Sequence, residues 1–355
     1  MDPEIIVTNL KRRFTGVSGT VSALLPAQAK SLKVGFVGVE LPGAVKARLH
    51  DPGNFSHMGL WQAIWISRKP LPDGRKRIWH VRRDPEMLLT IVLRDALRLP
   101  IKIVFTSAAQ RHHSWFPRWL ISRMDAVIAT TPMAAKFVTS NAIIPHGIDT
   151  EMFSSDTDKS LAWRTTGLPG KYGIGMVGRI RPEKGTDIFV RAMLDLLPDF
   201  PDFTAVILGL AQPQFLAFQQ QLQETIMSKG LSDRIFFKGD IPSDQMPQWY
   251  TSMLMIIACP RYEGYGLTLL EGMAAGCAPV ASDTGVFRNV IEDSQVGYVV
   301  PVGDAAALAS SIRKLMENIK LAKSFGERGR GYIVERLSVD TEAANIKEVY
   351  KTIWT

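Results

Sequence analysis

Residues 253–280 read MLMIIACPRYEGYGLTLLEGMAAGCAPV, and this stretch decides the fold because it predicts a strand, a loop and a helix in succession. The apolar run 253–259 predicts a buried strand that ends at Pro260. A loop with two glycines follows, and from 267 to 275 the apolar residues recur at helical spacing. This order predicts free backbone N–H groups at Gly266, Leu267 and Thr268, which form a site for a phosphate group.

Two carboxylates flank this predicted phosphate site. Glu263 lies in the loop, and Glu271 lies about one turn inside the helix. Carboxylates accept hydrogen bonds from hydroxyls, and a nucleotide sugar carries hydroxyls on both sides of its diphosphate. The alternative is a surface loop with two solvated glutamates, but the coincidence of strand, glycines, helix and paired acids favours a nucleotide-sugar site.

A second segment, 173–185, reads GIGMVGRIRPEKG. Its first six residues match G-x-G-x-x-G, but the glycines lie within a predicted strand and no acidic residue ends a second strand at the required distance, so we reject a dinucleotide-binding motif. Arg179 and Lys184 bracket a tight turn at the carboxyl end of this strand. Both cations can contact one diphosphate there and stabilise its departure as an anion. The alternative for these cations is a surface ion pair.

Both segments resemble the signatures of family 4 retaining glycosyltransferases, which have the GT-B fold. The first is Glu263-x7-Glu271 in the setting P-x-x-E-G-Y-G-L-x-x-L-E-x-M-A-x-G, and the second is G-R-x-x-x-x-K-G. The resemblance implies an α/β chain with two Rossmann-like, doubly wound domains that face each other across a cleft. It also implies that Glu263 contacts the donor sugar, Glu271 the ribose hydroxyls, and Arg179 and Lys184 the diphosphate.

The same resemblance extends to weaker matches. The loop at Gly239 and Ile241 corresponds to the position whose backbone contacts the nucleobase, and Gly16 corresponds to a glycine-rich loop that touches the donor phosphates or the acceptor. The family is thought to react on the face from which the leaving group departs, with the phosphate accepting the acceptor's proton. The run 106–135 looks like lipopolysaccharide core mannosyltransferases in particular.

A chain of 355 residues is too long for one ordinary core and is typical of two domains. We expect an acceptor-binding domain at 1–145, a nucleotide-sugar-binding domain at 146–338, and a C-terminal helix at 339–355 that crosses back to the first domain. Pro145 and Gly147 are suited to a turn at the interdomain hinge.

The N-terminal half alternates short apolar strands with helices, a pattern that predicts a parallel, doubly wound sheet. We predict strands at 5–9, 34–39, 99–106 and 126–130, and helices at 17–31, 57–68, 86–97, 114–123 and 132–139. The basic segments 68–77 and 79–83 are assigned to turns or surface, with lipid or acceptor contact as an alternative.

The acceptor side carries no comparable signature. Relatives place a histidine directly after the strand that ends at Thr106, but here the first histidines come several residues later. Arg111 and one of His112 and His113 are therefore candidates for acceptor contacts. Lys11 and Arg12, which follow the first strand, are either an anion clamp or part of a solvated loop.

The charge of the chain is uneven. Residues 1–150 contain 21 Lys and Arg against 10 Asp and Glu, although the net charge of the whole chain is only +8. This basic half also holds five of the eight tryptophans, so it suits the surface of an anionic membrane, an anionic saccharide or a nucleic acid. A scattered set of solvated charges is the alternative.

Several features indicate a cytoplasmic protein, and the resemblance implies that it is peripheral on the inner face of the inner membrane. No stretch approaches the roughly 20 apolar residues of a membrane helix, the N-terminus does not resemble a signal peptide, and Cys259 and Cys277 lie in apolar runs as expected for reduced core residues. No metal site is expected, because the D-x-D at Asp156 and Asp158 lies in a polar stretch typical of a surface loop.

The hypothesis is a retaining, metal-independent hexosyltransferase without a cofactor. By resemblance, it moves mannose from GDP-mannose to an anionic glycolipid acceptor, the inner core of lipopolysaccharide. The main alternative is a family 4 enzyme that uses another nucleotide sugar, such as a UDP-hexose, for exopolysaccharide or glycolipid synthesis. More remote alternatives are a sugar-nucleotide epimerase with the GT-B fold and a nucleic-acid-binding protein.

Overall fold

The structure, a computed structural model, describes residues 1–13, 15–154 and 158–354. The chain divides into two compact units, one made of Met1–Gly147 with Leu337–Thr355 and the other of Ile148–Arg336. The sequence had placed the two boundaries at 145/146 and 338/339. Each unit consists of a parallel sheet with helices between its strands.

The first unit has a seven-stranded parallel sheet in the order β3-β2-β1-β4-β5-β6-β7. Its strands are β1 (Ile5–Asn9), β2 (Val34–Gly38), β3 (Phe55–His57), β4 (Arg77–Val81), β5 (Ile101–Ser107), β6 (Ala126–Ala129) and β7 (Ala142–Ile143). Its helices are α1 (Gly16–Ala29), α2 (Pro42–His50), α3 (Leu60–Ile66), α4 (Asp84–Ile91), α5 (Trp115–Ser122) and α6 (Pro132–Ala135), and a π-helical turn (Val92–Ala96) extends α4.

The central strand β4 corrects the sequence analysis, which had assigned 68–77 and 79–83 to turns or surface, with lipid or acceptor contact as an alternative. Arg77 is only 1% exposed. Its burial is tolerated because its Nε donates to the Pro3 carbonyl at 2.7 Å and its Nη1 to the Ile66 carbonyl at 2.5 Å. Trp79 and His80 are fully buried in the same strand. The arginines obscured the strand, since a guanidinium normally indicates exposure unless main-chain carbonyls bind its donors. The short strands β3 and β7 and the helix α2 were also missed.

The second unit has a six-stranded parallel sheet in the order β10-β9-β8-β11-β12-β13. Its strands are β8 (Tyr172–Val177), β9 (Phe203–Leu208), β10 (Ile235–Gly239), β11 (Met253–Ala258), β12 (Ala278–Ser282) and β13 (Tyr298–Val300). Its helices are α7 (Lys159–Arg164), α8 (Thr186–Leu196), α9 (Leu216–Ser228), α10 (Met246–Ser252), α11 (Leu267–Ala274), α12 (Phe287–Ser294), α13 (Ala305–Glu317) and α14 (Ile319–Arg336), with 3₁₀ turns at Pro182–Lys184 and Pro213–Phe215.

The last helix, α15 (Val339–Trp354), belongs to the first unit and packs on α1. The hydroxyl of Tyr350 is fully buried there and accepts a hydrogen bond from Gln28 Nε2 at 3.2 Å. The Trp354 indole donates to the Lys76 carbonyl at 2.9 Å. These contacts attach the C-terminus to the same sheet as the N-terminus.

Each sheet has one position where the strand order reverses. In the first unit this position lies between β1 and β4, because the chain adds β2 and β3 on one side of β1 and β4 on the other. In the second unit it lies between β8 and β11. In open α/β sheets, ligands bind at the carboxyl ends of the strands at this switch point. We therefore expect ligand-binding residues in the loops that follow β8 and β11 and in those that follow β1 and β4.

Candidate active site

Two loops meet at the switch point of the second unit. The strands β8 and β11 are paired in parallel, so the segments that follow them start side by side. Arg261, in the loop after β11, donates its backbone N–H to the Glu183 carbonyl at 2.8 Å. Its guanidinium binds both carboxylate oxygens of Asp187 at 2.7 and 2.8 Å. This bidentate contact holds the β11 loop against the turn that contains Arg179 and Lys184.

Two glycines make this close approach possible. Gly185 has φ +74°, and a Cβ there would lie 1.9 Å from the Cys259 carbonyl oxygen. Gly266 has φ +111°, and a Cβ there would lie 2.0 Å from the ring of Phe287. Both positions combine a left-handed backbone with no room for a side chain, so glycine is required at each.

The structure joins two residues that the sequence assigned to different parts of the ligand. Lys184 Nζ lies 2.5 Å from Glu263 Oε2, and the two side chains are 21% and 17% exposed. Glu263 Oε1 accepts the backbone N–H of Gly264 at 3.0 Å. Both oxygens of Glu263 are therefore fixed in position, and each keeps a lone pair for a further hydrogen bond.

The start of α11 has the predicted geometry. The helix begins at Leu267 with Gly266 as N-cap, and no side chain caps it. Leu267 and Thr268 are half-buried at this end. An uncapped helix N-terminus presents backbone N–H groups and a partial positive charge, which suits an anion.

Glu271 is positioned from below by a buried tyrosine. The Tyr250 hydroxyl, on α10, is fully buried and donates to Glu271 Oε2 at 2.8 Å. Burial raises the pKa of the Glu271 carboxyl, although this hydrogen bond opposes the shift. Oε1 accepts no hydrogen bond from any residue that the structure describes, so it remains available for a ligand hydroxyl.

The turn after β8 holds Arg179, which the sequence analysis assigned to the diphosphate, and two polar groups that it did not assign. Arg179 is exposed and lies two residues after the strand. Arg181 Nε and Thr186 Oγ1 are buried and have no hydrogen-bond partner among the described residues. The available signal for Thr186 was its position as the first residue of α8, at the same turn as Lys184.

Two glycines of the rejected dinucleotide motif, Gly173 and Gly175, lie inside β8 as the sequence analysis expected, whereas the third, Gly178, directly follows the strand. A Cβ on Gly173 would meet the ring of Trp163 at 2.2 Å, and one on Gly175 would meet Met253 Sδ at 1.7 Å. These glycines are needed for packing within the unit and not for contact with phosphates.

A glycine lies at the carboxyl end of each of the strands β8, β9 and β10, so no side chain covers the main chain at these three positions. Gly178, Gly209 and Gly239 end or follow these strands with φ of +146°, +143° and +72°. Gly209 donates its N–H to the Gly239 carbonyl at 2.8 Å. Ile241, half-buried, follows two residues later. Gly239 and Ile241 therefore lie on the opposite side of β8 from Glu271.

The N-terminal candidates lie in the first unit. Lys11 and Arg12 are exposed in the loop after β1. Gly16 is the exposed first residue of α1, and a Cβ there would meet nothing within 4 Å. Packing within the first unit therefore does not require a glycine at this position.

The acceptor candidates after β5 differ from one another. Arg111 and His112 are exposed, and the ring of His112 meets that of Phe137 edge-on at 5.0 Å. His113 is half-buried, and burial lowers the pKa of its imidazole. Its Nε2 is buried and finds no partner in the described part of the chain.

No group of three His, Cys, Asp or Glu side chains within the described ranges is arranged to hold a metal ion. Of the D-x-D pair, Asp156 lies outside the described residues. Asp158 caps α7 by accepting the N–H of Ser160 at 2.9 Å and pairs with Lys323 at 2.7 Å. Among the described residues, no helix is both long and apolar enough to cross a membrane.

Comparisons with known proteins identify the family of the chain. Residues 164–332 match the family described as glycosyl transferases group 1. The chain is 38% identical to the lipopolysaccharide core biosynthesis mannosyltransferase LpcC of Rhizobium leguminosarum bv. viciae, over 99% of this chain and 97% of the relative. It is 37% identical to the corresponding mannosyltransferase LpsB of Rhizobium meliloti (strain 1021), over 99% and 98%.

Solved structures support the fold. The C-terminal domain of LpcC from Francisella tularensis is 34% identical and covers 54% of this chain and 99% of its own, with a TM-score of 0.52. Anabaena HepE in complex with UDP is 16% identical and covers 98% and 99%, with a TM-score of 0.79. The two doubly wound sheets and this agreement confirm the predicted GT-B class, and glycosyl transfer replaces the epimerase and nucleic-acid alternatives. The chain belongs to the glycosyl transferases of group 1.

Proposed function

We propose that this glycosyltransferase moves mannose from GDP-mannose to the inner core of lipopolysaccharide, with retention of configuration at the sugar. The names of relatives that match at 38% and 37% identity along nearly the full chain support the sugar and the acceptor class. The contact between Lys184 and Glu263 at the β8/β11 switch point carries the assignment of the donor site.

In the proposed reaction, the bond between sugar and diphosphate breaks and negative charge collects on the β-phosphate oxygens. Arg179 and Lys184 supply positive charge from the turn after β8. The N–H groups of Leu267 and Thr268 supply hydrogen bonds from the start of α11. Donors fixed before the reaction stabilise this charge without further reorganisation, which is the largest contribution in many enzymes.

The two glutamates orient the donor on either side of its diphosphate. Glu263 accepts hydrogen bonds from hydroxyls of the transferred sugar, because Lys184 and Gly264 already fix its carboxylate. Glu271 accepts from the ribose hydroxyls through Oε1, because Tyr250 occupies Oε2. Such positioning favours reaction by lowering the entropy cost of bringing the groups together. The acceptor oxygen attacks from the side of the leaving group, and a phosphate oxygen takes its proton.

The proposed mechanism does not use a metal ion, since two cations and a helix N-terminus already face the position of the leaving phosphate. Activity should therefore persist in excess EDTA, measured as mannose transfer after removal of divalent ions. Transfer that stops with EDTA and returns with Mg²⁺ or Mn²⁺ would contradict this part of the mechanism.

We further propose that the first unit binds an anionic membrane surface. Trp61 and Trp65 are 82% and 69% exposed one turn apart on α3, and Arg68 stacks on Trp65 at 4.8 Å. Trp115 and Trp119 are 72% and 44% exposed one turn apart on α5. Exposed indoles beside cations are typical of interfaces with lipid headgroups.

Vesicle sedimentation tests this surface. The wild-type chain should sediment with vesicles that contain phosphatidylglycerol and less with purely zwitterionic vesicles, and the difference should shrink in high salt. The double variant Trp115→Ala/Trp119→Ala should lose binding, while the control Leu216→Ala, which removes an exposed apolar side chain from the second unit, should bind as wild type. Equal binding by all three proteins would remove α5 from the proposed surface.

The donor is tested by thermal unfolding in the presence of GDP-mannose, UDP-glucose, ADP-glucose and a CMP-sugar. A ligand at one hundred times its Kd stabilises the folded chain by about 2.7 kcal/mol. We expect the largest shift with GDP-mannose. Glu271→Ala should reduce it, whereas Glu224→Ala, an exposed glutamate on α9, should not. A larger shift with a UDP-sugar would replace the proposed donor.

A further inference from the structure

Arg82 has a buried guanidinium at the switch point of the first unit, and two of its nitrogens lack a hydrogen-bond partner among the described residues. It directly follows β4 and is only 8% exposed. Its Nε and Nη1 are buried and make no hydrogen bond to any described residue. Leaving a charged donor buried and unpaired is costly unless an anion completes it. A site of this kind therefore predicts an anionic ligand.

The carboxylate of Glu86, on α4, accepts no hydrogen bond from the guanidinium of Arg82. Glu86 is 1% exposed and uses both oxygens elsewhere. Oε2 accepts from the Thr8 hydroxyl at 3.1 Å and from the backbone N–H, not the side chain, of Arg82 at 3.0 Å. Oε1 accepts from the Leu10 N–H at 3.1 Å and from Arg83 Nη1 at 3.3 Å. Glu86 thus fixes the main chain around the site and leaves the guanidinium of Arg82 unbound.

The carboxylate of Glu342, on α15, is also hydrogen-bonded to other groups. Glu342 accepts from the Gly147 N–H at 2.8 Å, and its other oxygen lies 3.2 Å from His146 Nδ1. The Tyr350 hydroxyl, which also lies near Arg82, is hydrogen-bonded to Nδ1 of His80 at 2.6 Å. The groups that surround Arg82 are therefore close enough to influence it electrostatically, but none of them accepts its Nε or Nη1 protons.

Two unpartnered hydroxyls lie along the same edge of the sheet. Ser107 ends β5 and Thr130 follows β6, and they are 2% and 1% exposed. The side-chain oxygen of each is buried without a hydrogen-bond partner in the described ranges. Thr130 donates its N–H to the Ser107 carbonyl at 3.0 Å. β4, β5 and β6 are consecutive parallel strands about 4.8 Å apart, so the three residues lie at neighbouring strand ends. Val81 pairs with Phe105 and Thr106 with Ile128, so Arg82 and Thr130 continue one face of the sheet, while Ser107, which pairs with Ala129, lies on the other face.

We propose that Arg82, with Thr130 on the same face of the sheet, binds an oxyanion of the acceptor glycan, a sugar carboxylate or a phosphate ester. This inference rests on the proposed transfer to an acidic glycolipid. Charged guanidinium donors and hydroxyls match the acceptor oxygens of either group, and Arg82 can bind such an anion through two parallel hydrogen bonds. A neutral sugar would offer no charged acceptor to the unpaired donors of Arg82.

The test compares kcat/KM for acceptors that differ in one anion. The native acceptor is compared with one whose carboxyls are amidated and with one whose phosphates are removed enzymatically. Wild type should lose about 10- to 100-fold on whichever acceptor lacks the bound anion. Arg82→Gln should lose as much on the native acceptor and should no longer distinguish it from the neutral one. The control Arg48→Gln removes the same charge from an exposed ion pair of the same unit and should behave as wild type.

Arg82→Lys, which keeps the charge but not the paired donors, should recover part of the discrimination. Equal losses of Arg82→Gln on charged and neutral acceptors, or no loss at all, would overturn the proposal. Donor binding, measured as the thermal shift with GDP-mannose, should be unchanged in Arg82→Gln. If wild type transfers no sugar, the proposed function fails separately. In that case the anion site is tested by thermal shifts with inorganic phosphate and with a free sugar acid. One of the two anions should stabilise the wild-type chain but not Arg82→Gln, and equal shifts in both proteins would overturn the site.

Discussion

Replacing Lys184 by methionine should damage catalysis much more than stability. Lys184 and Glu263 form an ion pair at 2.5 Å in which both side chains remain partly exposed. The proposal gives Lys184 a second task, which is to stabilise the charge of the departing diphosphate. Methionine keeps most of the length and apolar surface of the side chain, so the substitution removes the charge with little loss of packing.

The expected magnitudes follow from the exposure of the pair. Fully exposed pairs contribute about 0–1 kcal/mol, and breaking a fully buried pair costs about 3–5 kcal/mol. Lys184→Met, with the pair 21% and 17% exposed, should therefore cost about 1–2 kcal/mol of unfolding free energy. Loss of one fixed donor to a transition-state oxyanion should reduce kcat by about 100- to 1,000-fold.

The double variant Lys184→Met/Glu263→Gln separates the two roles. It leaves no unpaired carboxylate, so the unfolding free energy should return towards that of wild type. The activity should stay low, because the charge that faces the phosphate is still absent. Urea unfolding and single-turnover transfer, measured on the same four proteins of the cycle, provide both quantities. If the double variant regained activity together with stability, Lys184 would serve only to neutralise Glu263, and the catalytic role would be refuted.

Three further predictions address other parts of the structure. Burial holds the pKa of His80 well below 6.5. The free energy of unfolding should therefore be highest above pH 6.5 and should fall by about 1.4 kcal/mol per pH unit below it, because the unfolded chain then binds a proton that folded His80 does not. His80→Gln should flatten this pH dependence in urea titrations. Gly266→Ala should cost about 2–4 kcal/mol in thermal unfolding because of its φ of +111° and an adjacent phenyl ring, whereas Gly264→Ala, with open space around it, should cost less than about 0.5 kcal/mol. Tyr250→Phe removes the hydrogen bond that fixes Glu271 and should weaken GDP binding about fivefold in calorimetry; unchanged affinity would separate Tyr250 from the ribose contact.

The donor site could be predicted from the sequence because local order determines it. A strand, a glycine loop and a helix in succession place Gly266 at the start of α11 without knowledge of any distant contact. The same reasoning placed Arg179 and Lys184 at the turn after β8. It did not predict the pair between Lys184 and Glu263, because that contact depends on β8 and β11 being neighbours in the sheet.

The first unit was less predictable, since its buried polar groups do not follow hydropathy. Arg77 is accommodated in the middle of a sheet by main-chain carbonyls, and this hid β4 from pattern analysis. Arg82 was included only in the basic segment 79–83, for which acceptor contact was one alternative, because the strand before it had not been recognised. A charged residue at the end of a buried strand becomes informative only when the structure identifies which of its donors lack a partner.

The most direct test of the central claim is mass spectrometry of the acceptor after incubation with purified protein and a nucleotide sugar. With GDP-mannose, a lipopolysaccharide core acceptor should gain the mass of one hexose with release of GDP, and Lys184→Met/Glu263→Gln should form far less product. No mass gain with GDP-mannose, together with a gain from a UDP-hexose on the same acceptor, would contradict the account.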